Sequence, residues 1–357
     1  MKKSQFYRMA AIAAAITVAA TGCSAAGGGT TSSAPAGSLT FRANGTPILT
    51  GKTISLGIAA GNPVPGDSTN NLMANTLTSW GATVNYTIGA TNSTELAVIA
   101  GQLQATDGPL PILADAGLII IAPAMTHVDD VLVSSSVSNV AGLKGKQVGV
   151  IASTDPSTYL LDQLVSKQKW TAADLPSVYT NSDSNAVSEL IAGKIPAAFV
   201  ASEDLPTLKQ NGNFKVLATA ATIAPEYADS FNGATAVWAK ANPDLVEAID
   251  LAWWHAAYVF NNDTAAWDKN ALAYTKNAAS ADVVAQERVA LAAFNPWPSD
   301  PAKADDALSL ATIKTNYDAS NAAGFIKGPG AQSPANLVDL APWQASTVVA
   351  KKYPKEY

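Results

Sequence analysis

Leu143-Lys144-Gly145-Lys146-Gln147-Val148-Gly149-Val150-Ile151 leads from a basic turn into a short apolar strand, and Ala152-Ser153-Thr154-Asp155-Pro156-Ser157-Thr158-Tyr159-Leu160-Leu161 continues through a polar loop into a helix. The strand is predicted over 147–151 and the helix over 156–167. Asp155 stands where an N-cap belongs, and Pro156 takes the first helical position, where its missing N–H removes no bond. Downstream the pattern repeats, with a strand near Val178, a helix over 185–192 and a strand over 197–200. Upstream it has a counterpart: a strand over 54–60, a turn-rich loop over 61–69, a helix over 71–80 and a strand over 84–88. Strand, loop, helix, strand is the rhythm of a parallel sheet with helical crossovers. The reading is an α/β chain of two lobes, each a mostly parallel sheet flanked by helices.

Helices dominate the last third. Asn242-Pro243-Asp244 supplies a cap, a first-turn proline and a first-turn acid. Leu245, Ile249, Ala252, Trp253 and Ala256 follow at helical spacing. Further helices are expected over 265–276, 281–292 and 304–319, with Pro296, Pro298 and Pro301 as breaks.

The amino terminus fixes the compartment. Lys2, Lys3 and Arg8 precede an apolar run from Met9 to Ala20. That run falls short of the roughly 20 residues needed to span a bilayer, so it reads as a secretory signal over 1–22. Ala20-Thr21-Gly22-Cys23 resembles a bacterial lipobox without its usual leucine, which implies cleavage before Cys23 and lipidation of its sulfur. Ordinary cleavage elsewhere, leaving a free thiol, is the alternative. The position of this single cysteine favours the lipid anchor. Residues 23–50 are read as a tether, its first part being uncharged Gly, Ser, Thr, Ala and Pro.

Loss of residues 1–22 would leave 19 basic against 28 acidic residues, a net charge of −9. Such a surface excludes nucleic acid as the main partner, because phosphates demand basic patches. About 320 residues remain beyond the tether, more than one core usually holds.

Three stretches carry a family resemblance. Residues 143–150 are similar to the "LKGKxVxV" entry into the second lobe of type II periplasmic binding proteins. Ala186 to Ala198 resembles that family's "AxxxLxxGxIDA" unit, with Pro196 in place of the aspartate. Asn242-Pro243-Asp244-Leu245-Val246 resembles its "NPxLV" helix start. The order of these matches is most like the nitrate, sulfonate, taurine and thiamine-precursor class. The resemblance implies lobe 1 from 51–125 and 236–357, lobe 2 from 126–235, a ligand cleft between them and hinge closure on the solute. It also implies delivery to an ABC permease with a cytoplasmic ATPase. The chain is expected to act as a monomer, with no cofactor or metal.

Ligands of parallel α/β sheets bind beyond the carboxyl ends of the strands, where loops give way to helix starts. That places Asn62 and Asp67, then Asn92, Ser93 and Thr94, then Ser153, Thr154, Asp155, Ser157, Thr158 and Tyr159, and Ser182, among the expected ligand-binding residues. Ser, Thr, Asn and Asp also cap helices everywhere, so each has a local alternative. Gly108 and Pro109 mark a further expected cleft loop, with a simple turn as the alternative. Glu203 and Asp204 follow the strand over 197–200 and could equally be a solvated pair. If they face the cleft, a ligand with an amine or ring N–H is favoured over nitrate.

Arginine usage points the same way. Beyond the signal there are only Arg42, at the tether's edge, and Arg288, on a helix expected to be remote from the cleft. Strongly anionic groups are often gripped by an arginine fork. Trp238, with Trp80 and Tyr86, is expected near the cleft as a stacking wall, whereas Trp253 and Trp254 fit a helix core.

No catalytic motif emerges. His127-Val128-Asp129-Asp130 reads as a solvated turn rather than a metal site, and His255 as packed. Pyrimidine-forming relatives of the fold use a cysteine-rich site that this chain lacks. The leading expectation is a transport receptor rather than an enzyme. A ligand-sensing lipoprotein, or a structural or adhesive lipoprotein with a degenerate cleft, are the alternatives.

Overall fold

The computed structural model describes residues 38–59, 65–89, 93–276, 279–327 and 333–357. The expected signal, Cys23, Asn62 and Asn92 lie outside them. Residues 39–50 are not tether but part of the folded body. Leu49 is fully buried and its N–H donates to Trp80 O at 2.9 Å. The Arg42 guanidinium donates to Pro47 O, and the Tyr357 hydroxyl to Gly45 O.

The first lobe holds a sheet built from β1 (Thr53–Ala59), β2 (Thr83–Gly89), β3 (Ala105–Gly108), β4 (Ile119–Met125) and, from far along the chain, β10 (Ser230–Ala234). The second lobe holds β5 (Val131–Ser134), β6 (Val148–Val150), β7 (Ser177–Tyr179), β8 (Ala197–Val200) and β9 (Lys215–Thr219). Strand orders are β2-β1-β3-β10-β4 and β7-β6-β8-β5-β9. The two orders are the same pattern. In each sheet one strand, β10 or β5, runs against the rest, and each of these is a strand that has just crossed from the other lobe. Two segments therefore join the lobes, 126–130 and 220–229. The chain is back in the first sheet by Ser230, ahead of the expected return at 236.

The first parallel strand of each sheet, β1 or β6, carries a glycine that lets a neighbour approach. A Cβ at Gly57 would sit 2.8 Å from the Leu103 side chain, and one at Gly149 would sit 2.8 Å from the Ala198 Cβ. Helices fall close to where the periodicity puts them, at Ser68–Ser79, Pro156–Lys167, Asp183–Ile191, Pro243–Asn262, Thr264–Tyr274 and Ala281–Ala292. The helix expected over 304–319 is instead two, Ala304–Ala307 and Leu310–Ala322. Ser309 restarts it by accepting the Thr312 N–H at 3.2 Å. Among the described residues no helix is long and apolar enough to cross a membrane.

The first lobe's core centres on the Pro243–Asn262 helix, whose Trp253 and Trp254 are buried against Trp343. The second lobe's core includes Leu132, Val148, Leu160, Phe199 and the stacked pair Tyr159 and Tyr227, 4.1 Å between ring centres.

Candidate functional site

The parallel strands of both sheets aim their carboxyl ends at one another across the crossovers. Contact is direct: Gly66, after β1, donates its N–H to Glu203 Oε2, after β8, at 2.8 Å. A Cβ at Gly66 would lie 2.7 Å from that oxygen, so the approach depends on a glycine.

Acidic side chains surround this contact. On the first lobe stand Asp67, just before the Ser68–Ser79 helix, and Asp107 in β3, which accepts from Asn70 Nδ2 at 2.9 Å. The crossovers contribute Asp129, Asp130 and Asp229. The second lobe contributes Asp155, Asp183, Glu203 and Asp204. Glu287 reaches the rim from the Ala281–Ala292 helix, which packs against the Ser202–Asp204 turn. That helix was expected to be remote from the cleft, and its position corrects the expectation; its Arg288 is engaged by Asp268 at 2.7 Å.

Hydrogen bonds hold several of these acids in place. Asp129 Oδ2 accepts from the Ser202 N–H at 3.0 Å and from its hydroxyl at 2.6 Å, tying the first crossover to the turn after β8. Asp183 Oδ1 accepts the Ala201 N–H at 3.3 Å. Asp130 is 8 % exposed, and its carboxylate accepts no hydrogen bond among the described residues.

Burial, followed by the charges of Asp155, Asp204 and Asp129, pushes Asp183 up to about 8. Burial and then Asp129 push Asp204 up to about 7; burial and then Asp204 do the same for Glu287. Glu203, Asp130 and Asp229 are held well above the usual carboxylate range by burial first and neighbouring carboxylates second. No lysine or arginine pairs with these second-lobe and crossover acids among the described residues. In a buried site an ionised carboxylate without a counter-charge is unstable, so protons or a cation must balance them.

The serine- and threonine-rich loop over 153–158 is largely occupied with itself. Asp155 accepts the Ser157 N–H at 2.9 Å, and the Ser157 hydroxyl accepts the Ile151 N–H at 3.0 Å. The Thr158 hydroxyl donates to Ala152 O at 2.7 Å. Ser153 and Thr154 are left at the surface of the turn. Thr94 is buried against Gly57, and Ser93 begins the Ser93–Ile99 helix. Gly108 ends a strand rather than forming a turn, and Pro109 caps Leu110–Asp115. The Ser182 hydroxyl accepts the Asn185 N–H at 3.2 Å.

Two of the expected aromatics are elsewhere. Trp238 follows β10, whose far end pairs with Ile119 at the amino end of β4, so it sits at the edge of the sheet away from the cleft. Trp80 is buried against His255 and Tyr357. Tyr86 and Tyr274 instead lie beside Asp67 and Asp107. His127-Val128-Asp129-Asp130 is no solvated turn: Val128, Asp129 and Asp130 are buried in the crossover, and His127 Nδ1 lies 3.0 Å from Asn295 O. Sequence reasoning missed Asp129, Asp130, Asp183 and Asp229 as a group. The available signal was an Asp-Asp pair between two apolar runs.

A family model described as NMT1/THI5 like matches residues 104–262. No curated protein sequence shows significant similarity to the chain. Among solved structures, the alkanesulfonate-binding protein SsuA from Xanthomonas axonopodis pv. citri bound to MOPS is similar at a TM-score of 0.63 and 17% identity, over 81% of this chain and 99% of that one. A putative sulfonate ABC transporter periplasmic binding protein, SsuA from Methylobacillus flagellatus KT, gives 0.64 and 15%, over 85% and 95%. The ligand-binding component of an ABC-type import system from Staphylococcus aureus with zinc bound gives 0.64 and 11%, over 83% and 99%. The fold is that of the periplasmic binding proteins.

Proposed function

We propose that this chain is the extracytoplasmic solute-binding component of an ABC importer, capturing a small solute between its lobes and presenting it to a membrane permease driven by a cytoplasmic ATPase. The observation that carries this reading is the meeting of the two sheets' carboxyl ends across paired crossovers, with Gly66 of one lobe bonded to Glu203 of the other. Two crossovers with no other covalent link let such lobes hinge apart and close. The family match and the likeness to binding components of import systems support the same reading.

Cys23, beyond a secretory signal over 1–22, would anchor the protein to the membrane by lipid. Cys23→Ser should then release it into the soluble fraction, and continued membrane retention would contradict the anchor.

Solute capture is tested by a thermal-shift screen of sulfonates, nitrate, pyrimidines, flavins and amines. A ligand at 100 times its dissociation constant stabilises the fold by about 2.7 kcal/mol. One class should raise the melting temperature in proportion to its concentration. Turnover of any of these compounds would contradict a transport receptor.

A further inference from the structure

The helix starts that would offer an anion their free N–H groups already carry acids of their own. Asp67 precedes Ser68–Ser79, Glu95 lies in the first turn of Ser93–Ile99, and Asp155 caps Pro156–Lys167. Asp183 opens Asp183–Ile191, and Asp204 precedes Leu205–Asn211. The positive end of each helix is thus matched by built-in negative charge, and a bound anion would meet carboxylates where it needs donors.

A buried carboxylate without a hydrogen-bond partner and a buried pair of phenols stand among these acids. The Asp130 carboxylate is ringed by Asp129, Asp155, Asp183 and Asp229, and accepts no hydrogen bond among the described residues. Beside Asp67 and Asp107, the Tyr274 hydroxyl is 7 % exposed and pairs with the Tyr86 hydroxyl. A buried carboxylate left without a partner is costly, and a ligand that supplies the missing donor removes that cost. Ionised carboxylates are acceptors only, so the complement they need is a donor, and a positive one.

We infer that the occupant of this cleft is a small organic cation, held by carboxylates from both lobes and the crossovers, whose positive charge permits the lobes to close. This rests on the solute-binding reading above. An organic ammonium fits better than a metal ion. Among the described residues no three His, Cys, Asp or Glu side chains converge as a metal-binding set. Tyr86 and Tyr274, beside Asp67 and Asp107, add aromatic rings of the kind that ammonium groups favour.

The test is calorimetric titration of the whole mature protein with 1,4-diaminobutane, spermidine, choline, methanesulfonate and magnesium chloride, each at low and raised salt. At least one amine should bind, with affinity that falls as salt rises. Asp130→Asn and Glu203→Gln should each weaken that binding about tenfold or more. Asp204→Asn, at a less buried site, gives a second variant should either fail to fold. An absence of heat with every amine would overturn the inference. So would methanesulfonate binding in the cleft, magnesium as the only cation bound, or amine binding unaltered in all three variants. Methanesulfonate binding would leave solute capture standing, whereas no response to any class in the wider screen would remove capture itself.

Discussion

Around Trp253 the first lobe is packed as an aromatic cluster, whereas the cleft just beyond the ends of its strands is lined with carboxylates, and both regions are buried. In the cluster the indole N–H groups of Trp253 and Trp297 both donate to Ala124 O, at 3.0 and 2.9 Å. Trp254 stacks on Trp343 with ring centres 4.8 Å apart. Among the described residues Asp250, fully buried with neither oxygen bonded, is the one acid inside this packing, and burial holds it well above the usual range. In the cleft that exception becomes the rule. The cluster is arranged to hold the fold together; the cleft gathers carboxylates that a positive charge would balance.

Substitutions in the two regions should therefore shift stability in opposite directions. The largest effect is expected from Trp253→Ala, which removes a fully buried ring and leaves Ala124 O with one donor fewer. It should destabilise the unliganded protein by about 3–5 kcal/mol in denaturant unfolding. Asp130→Asn should instead stabilise it, by roughly 1–3 kcal/mol at neutral pH, because it deletes a buried acid that the folded protein must either protonate or leave unbalanced. Destabilisation of that size by Asp130→Asn would show that the carboxylate has a partner when unliganded, and would erase the contrast.

The pH dependence sharpens the same point. Burial and neighbouring carboxylates push Asp183, Asp204 and Glu287 up to about 8, 7 and 7. The ordinary range is roughly 4. A raised carboxyl value means the folded form binds the proton more tightly. Its stability is then fully present below the unfolded value and lost as pH rises through the folded one. The melting temperature of the unliganded protein should fall from about pH 5 to about pH 8.5, and a bound amine should oppose that fall. A melting temperature that rises over this window would contradict the assignment of these groups. Smallest of all, Lys314→Ala, which breaks the exposed pair with Asp318, should change stability by no more than about 0.5 kcal/mol.

The fold was legible where its determinants are local. Pro156–Lys167, Ala281–Ala292 and Ala197–Val200 fall within the spans expected from periodicity and punctuation. The crossovers were not legible. Val131–Ser134 is four residues long and is defined by antiparallel pairing with β8 and β9, at least sixty residues downstream. Asp129 and Asp130 look solvated in one dimension because their neighbours come from the second-lobe turn at Ser202, the second-lobe helix starts at Asp155 and Asp183, and the other crossover. Conversely Ser157 and Thr158 look like ligand donors, since nothing in their identity reveals that their hydroxyls are engaged by Ile151 and Ala152. Glu203 and Asp204 were singled out because they follow a strand, and that rule is positional, so it survives ignorance of the tertiary contacts.

Closure itself is the most direct test. Small-angle X-ray scattering of the protein at about pH 8, titrated with whichever amine binds most tightly, should show a radius of gyration that falls and saturates. The same titration of Glu203→Gln should require about tenfold more amine to reach that radius. A radius that stays constant through saturation, or one that contracts with methanesulfonate and not with the amine, would contradict a pair of lobes that positive charge draws shut.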